Sequence, residues 1–207
     1  MDLFEFDKNY LSSVSGSVAG VDEAGRGPWA GPVVAAAVVL PSGVVIKGLN
    51  DSKKLSAAKR EELFSEICQK AVSFGVEMAG EEIIDKVNIL QATYIAMKGA
   101  LAKLSPVPSL VLVDGWPIPG LTHRQVSIIG GDAKSAAIAA ASIVAKVTRD
   151  RLMTEMSDKY PVYNFKKHKG YGTKEHQDAL KRFGPCVIHR KSFAPIKKYL
   201  EQKYGEG

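Results

Sequence analysis

Residues 20–40 read "GVDEAGRGPWAGPVVAAAVVL". Asp22 and Glu23 stand side by side at the end of an apolar run. The turn Gly25-Arg26-Gly27 follows at once, and a second apolar run begins beyond Pro28 and Pro32. Both runs are short, rich in β-branched residues and bounded by Gly or Pro, so they read as two strands joined by a turn. Two glycines leave that turn uncovered, and its backbone N–H groups can approach a sugar-phosphate. Two acids beside it would repel phosphate unless a cation stands between them. The string "GRGPWA" formally matches the dinucleotide fingerprint G-x-G-x-x-A. That fingerprint needs a helix to open after the second glycine, and here prolines and the β-rich "VVAAAVVL" interrupt.

Outward from this stretch, residues 17–24, 31–40 and 43–49 ("GVVIKGL") read as three short strands. In 56–71, Leu63, Phe64, Ile67, Cys68 and Ala71 recur at helical spacing, Ser56 can cap them, and Glu66–Lys70 is a favourable i,i+4 pair. A strand is expected over 72–79. Asn88 and Gln91 form a capping-box pattern that opens a helix with the stripe Tyr94, Met97, Leu101, Leu104. "SLVLVD" (109–114) and "RQVSII" (124–129) read as strands, and the alanine-rich 133–153 as a long helix able to lie close on a sheet. Thr173 caps another helix that Gly184 and Pro185 stop, and 192–204 closes the chain as a last one. The expected fold class is α/β, a mixed α/β domain with a helical C-terminal extension. One domain is expected over 1–207, its core at about 18–158 and its basic extension at about 159–207.

The 207 residues are 45% hydrophobic and 24% charged, ordinary for a soluble globular chain. Cys68 and Cys186 fit neither a disulfide framework nor a zinc spacing, which points to a reducing compartment. The acidic N-terminus shows no signal peptide, and no apolar run is long enough to span a bilayer. The expectation is a cytoplasmic monomer without membrane contact. The net charge of +6 is uneven: residues 1–145 carry 13 Lys and Arg against 15 Asp and Glu, and 146–207 carry 15 against 7. The basic C-terminal third suggests a polyanion partner, most simply nucleic acid, although a solvated basic face would look the same.

Four acids fall at element ends: Asp22 and Glu23, Asp114 closing "SLVLVD", and Asp132 in "IIGGDAK" before the long helix. Ligand sites of open α/β sheets form beyond strand ends. Neighbours on a regular strand point to opposite faces, so Asp22 and Glu23 share a site only if the strand breaks up at Glu23. Asp132 also fits a helix N-cap, and Asp114-Gly115 an ordinary turn. Two acids in an apolar strand have no such ordinary use. With only Arg26 and Lys134 at motif spacing, a hard divalent ion is the natural counter-charge, and oxygen ligands favour Mg²⁺ or Mn²⁺. Two such ions ~3.5–4 Å apart activate a water and stabilise the leaving oxygen in phosphodiester hydrolysis. "KKHKGYGTK" is a basic loop in which Tyr171 reads as a stacking platform, or else as a buried tyrosine. Lys53, and Lys146 with Arg149, are candidate phosphate contacts. His168 and His176 read as structural or phosphate-facing rather than metal ligands.

The strings "GVDEAGRGPWAGPVVAAAVVL", "NDSKKLS", "VNILQAT", "LVDGWPIPG", "GGDAKSAAIAAASIVAKVTRDR", "FKKHKGYGTKEH" and "HRKSFAP" together resemble the ribonuclease HII family, in order over about residues 18–197. The resemblance implies a ribonuclease H-like mixed β-sheet flanked by helices, and an endonuclease acting on RNA/DNA hybrids and on duplex DNA with a lone ribonucleotide, cut on its 5′ side. The implied products carry 5′-phosphate and 3′-hydroxyl ends. Its four catalytic carboxylates fall on Asp22, Glu23, Asp114 and Asp132. Its glycine-arginine-glycine loop falls on Gly25, Arg26 and Gly27, at the ribose 2′-OH, and its sugar-packing tyrosine on Tyr171. In the expected arrangement Asp22 serves both metals, Glu23 and Asp114 one each, and Asp132 the attacking water's metal or proton release. Trp29 stands where a smaller apolar residue is more common in the family, and Asn164 where glycine is. Two rivals are a ribonuclease HIII-like hybrid nuclease and a non-catalytic RNA/DNA-binding module.

Overall fold

The structure is a computed structural model that describes residues 2–204. At its centre lies a five-stranded sheet made of β1 (Val18–Ala24), β2 (Val33–Val39), β3 (Ser73–Ala79), β4 (Leu110–Asp114) and β5 (Gln125–Ile128). The strand order is β3-β2-β1-β4-β5. β1 to β3 form an antiparallel meander, and β4 and β5 add beyond β1, parallel to it. This is the mixed sheet that the family resemblance implies.

β2 is apolar at every position because both faces of the sheet are covered. Val33, Ala35, Ala37 and Val39 pack toward α4 (Ile89–Ala102), through Ala92, Ala96, Met97 and Ala100. Ala36 and Val38 face the other layer, where α2 (Ala57–Lys70) adds Leu63 and Ile67, and α5 (Ala136–Lys159) adds its alanines. The small residues bring α5 onto the strand backbone. A Cβ at Gly20 of β1 would land on the Ala137 carbonyl carbon and the Ile138 amide nitrogen. The predicted caps hold: the side chains of Ser56, Asn88 and Thr173 each accept a first-turn N–H.

Some expectations are corrected. Residues 43–49 form no strand, because Gly43 and Gly48 both have positive φ and turn the chain, while Ile46 and Leu49 plug the layer beneath. The long helix starts at Ala136, capped by Ser135, whose hydroxyl accepts from Ile138 N–H at 3.2 Å. Asp132 is therefore no helix cap and lies in a short 3₁₀ turn, Gly131–Ala133. Three helices escaped the sequence pattern, among them the four-residue helix Phe165–His168. The α1 helix (Leu3–Leu11) buries none of its residues fully, and α3 (Glu81–Val87) buries only Ile84. Neither offers the long stripe that periodicity detects.

Past α5 come α6 (Phe165–His168), α7 (Lys174–Phe183) and α8 (Ala194–Tyr204). These do not hang off the core. Tyr163, Phe165, Ala179 and Ile188 form one cluster with Ala30 and Met153, and Ala30 bridges His189 as an isolated β-pair. The loop after β1 is thus walled by the C-terminal segment. Among the described residues, no helix is long and apolar enough to cross a membrane.

Candidate active site

β1 and β4 run parallel with Val21 opposite Val113, so Asp22 and Asp114 follow at the same level of neighbouring strands. Asp114 pairs with Ile128 of β5, and the chain then turns at Gly130 (φ 64°) to bring in Asp132. Strand alternation puts Asp22 and Asp114 on the α5 face. Carboxylate oxygens of Asp22, Asp114 and Asp132 all lie within 4.8 Å of one another. One oxygen of each is already held. Asp22 accepts from Glu23 N–H at 2.7 Å, Asp114 from Gly131 N–H at 2.7 Å, and Asp132 from Lys53 Nζ at 2.9 Å. Each carboxylate keeps a second oxygen for a ligand.

Burial pushes Asp22 well above the ordinary carboxylate range, and the charges of Glu23 and Asp114 push it further. Burial likewise raises Asp114, with Asp132 adding to it. Lys53 supplies one positive charge at the rim, with its own ammonium held protonated by the hydrogen bond to Asp132. One exposed lysine does not neutralise three converging acids. An all-oxygen set of this size fits a hard divalent cation.

Glu23 is not one of the three acids whose oxygens converge within 4.8 Å, but it lies at their edge, its charge acting on Asp22 and that of Asp114 acting on it. β1 keeps its register through Glu23 opposite Ala35 and Ala24 opposite Val34, so the strand does not break where the shared-site expectation needs it to. Alternation starts the Glu23 side chain from the other face, yet its carboxyl stays close enough to feel Asp114 and Lys53. Its Oε1 takes Arg26 Nη1 at 3.4 Å, and burial raises it while Arg26 opposes.

The glycine turn is held from beneath. Gly25 has φ +97°, and a Cβ there would overlap the Arg149 guanidinium, so glycine is required twice over. Arg149, expected at phosphate, is instead buried and donates to the carbonyls of Ala30, Pro32 and Lys169 at 3.1, 2.9 and 3.0 Å. Arg190, which sequence reasoning passed over, is also buried. It donates to the carbonyls of Gly25, Arg26 and Gly31 at 2.6, 2.9 and 2.8 Å. Its only sequence signal is membership of "HRKSFAP". Tyr171 is 45% exposed, not buried, and its Cε1 lies 3.6 Å from where a Gly27 Cβ would stand. Loop and tyrosine are therefore neighbours. Lys146 is not brought to the triad by any contact among the described residues; it pairs with Asp150 at 2.7 Å, one helical turn on. Lys134 donates to the Ile129 carbonyl at 2.8 Å.

Behind Tyr171 three histidines are buried as structural groups, as the sequence reading holds for His168 and His176. Their tautomers follow from their partners. His176 Nδ1–H donates to the Tyr171 carbonyl at 3.0 Å, so its Nε2 accepts from His189 Nε2–H at 3.0 Å. His189 Nδ1 then accepts from Cys186 N–H at 2.9 Å. His168 donates to Tyr163 O at 2.7 Å and accepts from Gly170 N–H. Burial pushes His176 and His189 down to about 4. Unfolded histidines take up protons below about 6.5 and this pair does not, so its stabilisation is present above 6.5 and lost as pH falls toward 4. Asp7, raised to about 6 by burial, acts in the opposite sense, so a single acid titration would mix the two. Urea midpoints of wild type and His176→Phe, compared from pH 7 to pH 4, separate them. The wild-type curve should fall relative to the variant by about 2–3 kcal/mol, and parallel curves would refute the neutral pair.

The comparisons with known proteins agree with this geometry. The family model described as Ribonuclease HII matches residues 19–196. Ribonuclease HII of Endomicrobium trichonymphae is 54% identical over 202 residues, covering 97% of this chain and 96% of the relative. That of Caldicellulosiruptor saccharolyticus is 53% identical over 190 residues, 92% and 93% of the two chains. Among solved structures, the ribonuclease H2 from Pyrococcus horikoshii superposes with a TM-score of 0.76 at 28% identity, over 92% of this chain and 100% of that one. The RNase HII in the PCNA complex from Archaeoglobus fulgidus gives 0.69 at 28%, over 86% and 95%. An RNase HIII with Mn²⁺ gives 0.67 at 17% identity, a likeness of fold alone. With nearly its full length matched, its mixed sheet shared and its acids gathered at the strand ends, this chain belongs to the ribonuclease HII family and is a ribonuclease hydrolase acting on nucleic acid.

Proposed function

We propose that the chain cuts the RNA strand of RNA/DNA hybrids and incises duplex DNA on the 5′ side of a single embedded ribonucleotide. The products carry 5′-phosphate and 3′-hydroxyl ends, and the ions used are two Mg²⁺ or Mn²⁺. One observation supports this above all: three carboxylates within 4.8 Å stand at the strand end from which a glycine turn leads directly to a half-exposed tyrosine. Asp22, Asp114 and Asp132 would hold the ions, with Glu23 at their edge. Bound there, the ions supply an activated water and charge neutralisation at the phosphate.

The chain's own residues do the selecting. Lys53, 77% exposed at its side chain, keeps a cation where phosphate must arrive. Gly25, Arg26 and Gly27 present bare backbone to the ribose, and Tyr171 offers its ring to the sugar. The 2′-OH is the group that separates RNA from DNA at such a site. The +8 of residues 146–207 draws the polyanion in. A purely binding module would gain nothing from an acid triad facing phosphate. A ribonuclease HIII-like preference for longer hybrids rests on fold likeness alone.

The test is incubation with a one-ribonucleotide duplex, a uniform hybrid and an all-DNA duplex, each with Mg²⁺, Mn²⁺ or chelator. A single cut 5′ to the ribonucleotide, lost in chelator, is the expected result. Cutting of the uniform hybrid alone would favour the HIII-like reading. Retention without scission would favour the binding module.

A further inference from the structure

We infer that the segment Ile188–Arg190 is a positioning element that sets the Gly25–Gly27 turn and Tyr171 in register with each other, and so sets ribose recognition. This rests on the ribonucleotide reading above. The segment meets the loop through one isolated antiparallel bridge: Gly31 N–H donates to Ile188 O at 2.9 Å and Arg190 N–H to Trp29 O at 2.8 Å. From it, two consecutive side chains reach two different substrate elements. Arg190 takes the turn, and His189 takes Tyr171 through His176.

The Arg190 fork has a specific consequence. In a trans peptide the N–H of the next residue points opposite to the C=O. With the Gly25 and Arg26 carbonyls both drawn in to the guanidinium, the N–H groups of Arg26 and Gly27 point the other way, out of the protein. Both residues are exposed. Two successive outward N–H groups form a concavity that receives an oxygen of the substrate. Only a planar, multi-donor fork takes several carbonyls at fixed angles, so lysine is no equivalent. Glu81, whose carboxyl feels the charges of both Arg190 and Arg149, helps balance the buried cations.

His189 works on the partner element. Its neutral Nε2–H orients His176, which donates to the Tyr171 carbonyl, and Trp29 N–H donates to Gly170 O at 2.8 Å. Turn and tyrosine are thereby tied through one rigid network, with the ring standing beside Gly27.

The experiment measures kcat/KM on the one-ribonucleotide duplex for Arg190→Lys, His189→Asn, Tyr171→Ala and the His189→Asn/Tyr171→Ala pair. Ile67→Val, remote in the core, serves as the control for stability loss. Arg190→Lys and His189→Asn should each lose about tenfold or more, with the Mg²⁺ concentration for half-maximal rate unchanged. The pair should be no worse than Tyr171→Ala alone, because His189 acts through that residue. Losses no larger than a control of matched urea midpoint, strictly multiplicative effects, or a shifted Mg²⁺ requirement would overturn the inference. If Arg190→Lys does not fold, the His189 cycle decides. A wild type that fails to incise the duplex would instead refute the ribonucleotide reading itself.

Discussion

Asp22→Asn should abolish hydrolysis of the RNA strand while leaving a folded chain that is, in chelator, more stable than wild type. Asp22 is 4% exposed, and its ionised form is opposed first by burial and then by Glu23 and Asp114. Asparagine keeps the oxygen that accepts from Glu23 N–H and removes the charge, so the repulsion disappears. A gain of about 1 kcal/mol in urea is expected, as is common where a site is built at the expense of stability. The same charge is what a divalent ion needs. Activity should drop by about a thousandfold or more, equal to some 4 kcal/mol of transition-state stabilisation. Mg²⁺ should raise the thermal midpoint of wild type by mass action and leave the variant nearly unmoved. Wild-type cleavage by Asp22→Asn would remove Asp22 from the site. An unchanged midpoint in Mg²⁺ for wild type would remove the ion.

The second large effect is structural. Gly20→Ala adds one methyl group where the α5 backbone itself lies, against the Ala137 carbonyl carbon and the Ile138 amide nitrogen. A flexible side chain could swing aside, but a helix backbone cannot without carrying its neighbours. α5 is the longest helix, is buried on every side along 136–145, and leads directly from the turn that holds Asp132. We expect a loss of about 3 kcal/mol or more, at the upper end of overpacking costs, with aggregation on expression. Any protein recovered should also show a weakened Mg²⁺ dependence, since a displaced α5 moves Asp132 away from Asp22. A variant with wild-type urea midpoint would mean that the helix sits farther from the strand than the structure has it.

Much of this molecule is legible from local sequence. Ser56, Asn88 and Thr173 announce their helices because a cap needs only the residue and the next turn. The alternating sharing of β2 between two layers appears as an unbroken apolar run between prolines. Asp22, Asp114 and Asp132 stand out as acids at the ends of apolar segments, where nothing local explains them. Residues 43–49 misled because β-branched residues between glycines look like a strand until the glycines' positive φ is known. Length defeated the reading of α1 and α3.

The arginines mark the boundary of sequence reasoning most clearly. Arg149 and Arg190 look like any basic residues of a basic C-terminal third, yet both are buried and spend most of their donors on loop carbonyls more than 100 positions away, Arg149 giving one to the nearer Lys169 carbonyl. Arg26, with the same side chain, is exposed. Glu23 shares its neighbour's chemistry but starts from the opposite face of an intact strand, so it stands at the edge of the three converging acids while its charge still acts on Asp22. Composition, caps and strand patterning were thus settled by interactions within a few residues, which the order of side chains specifies directly. Which acids meet, which cations sink beneath the glycine turn, and what Tyr171 leans on were settled only when distant segments packed, since solvent exposure and long-range partners are not properties of spacing.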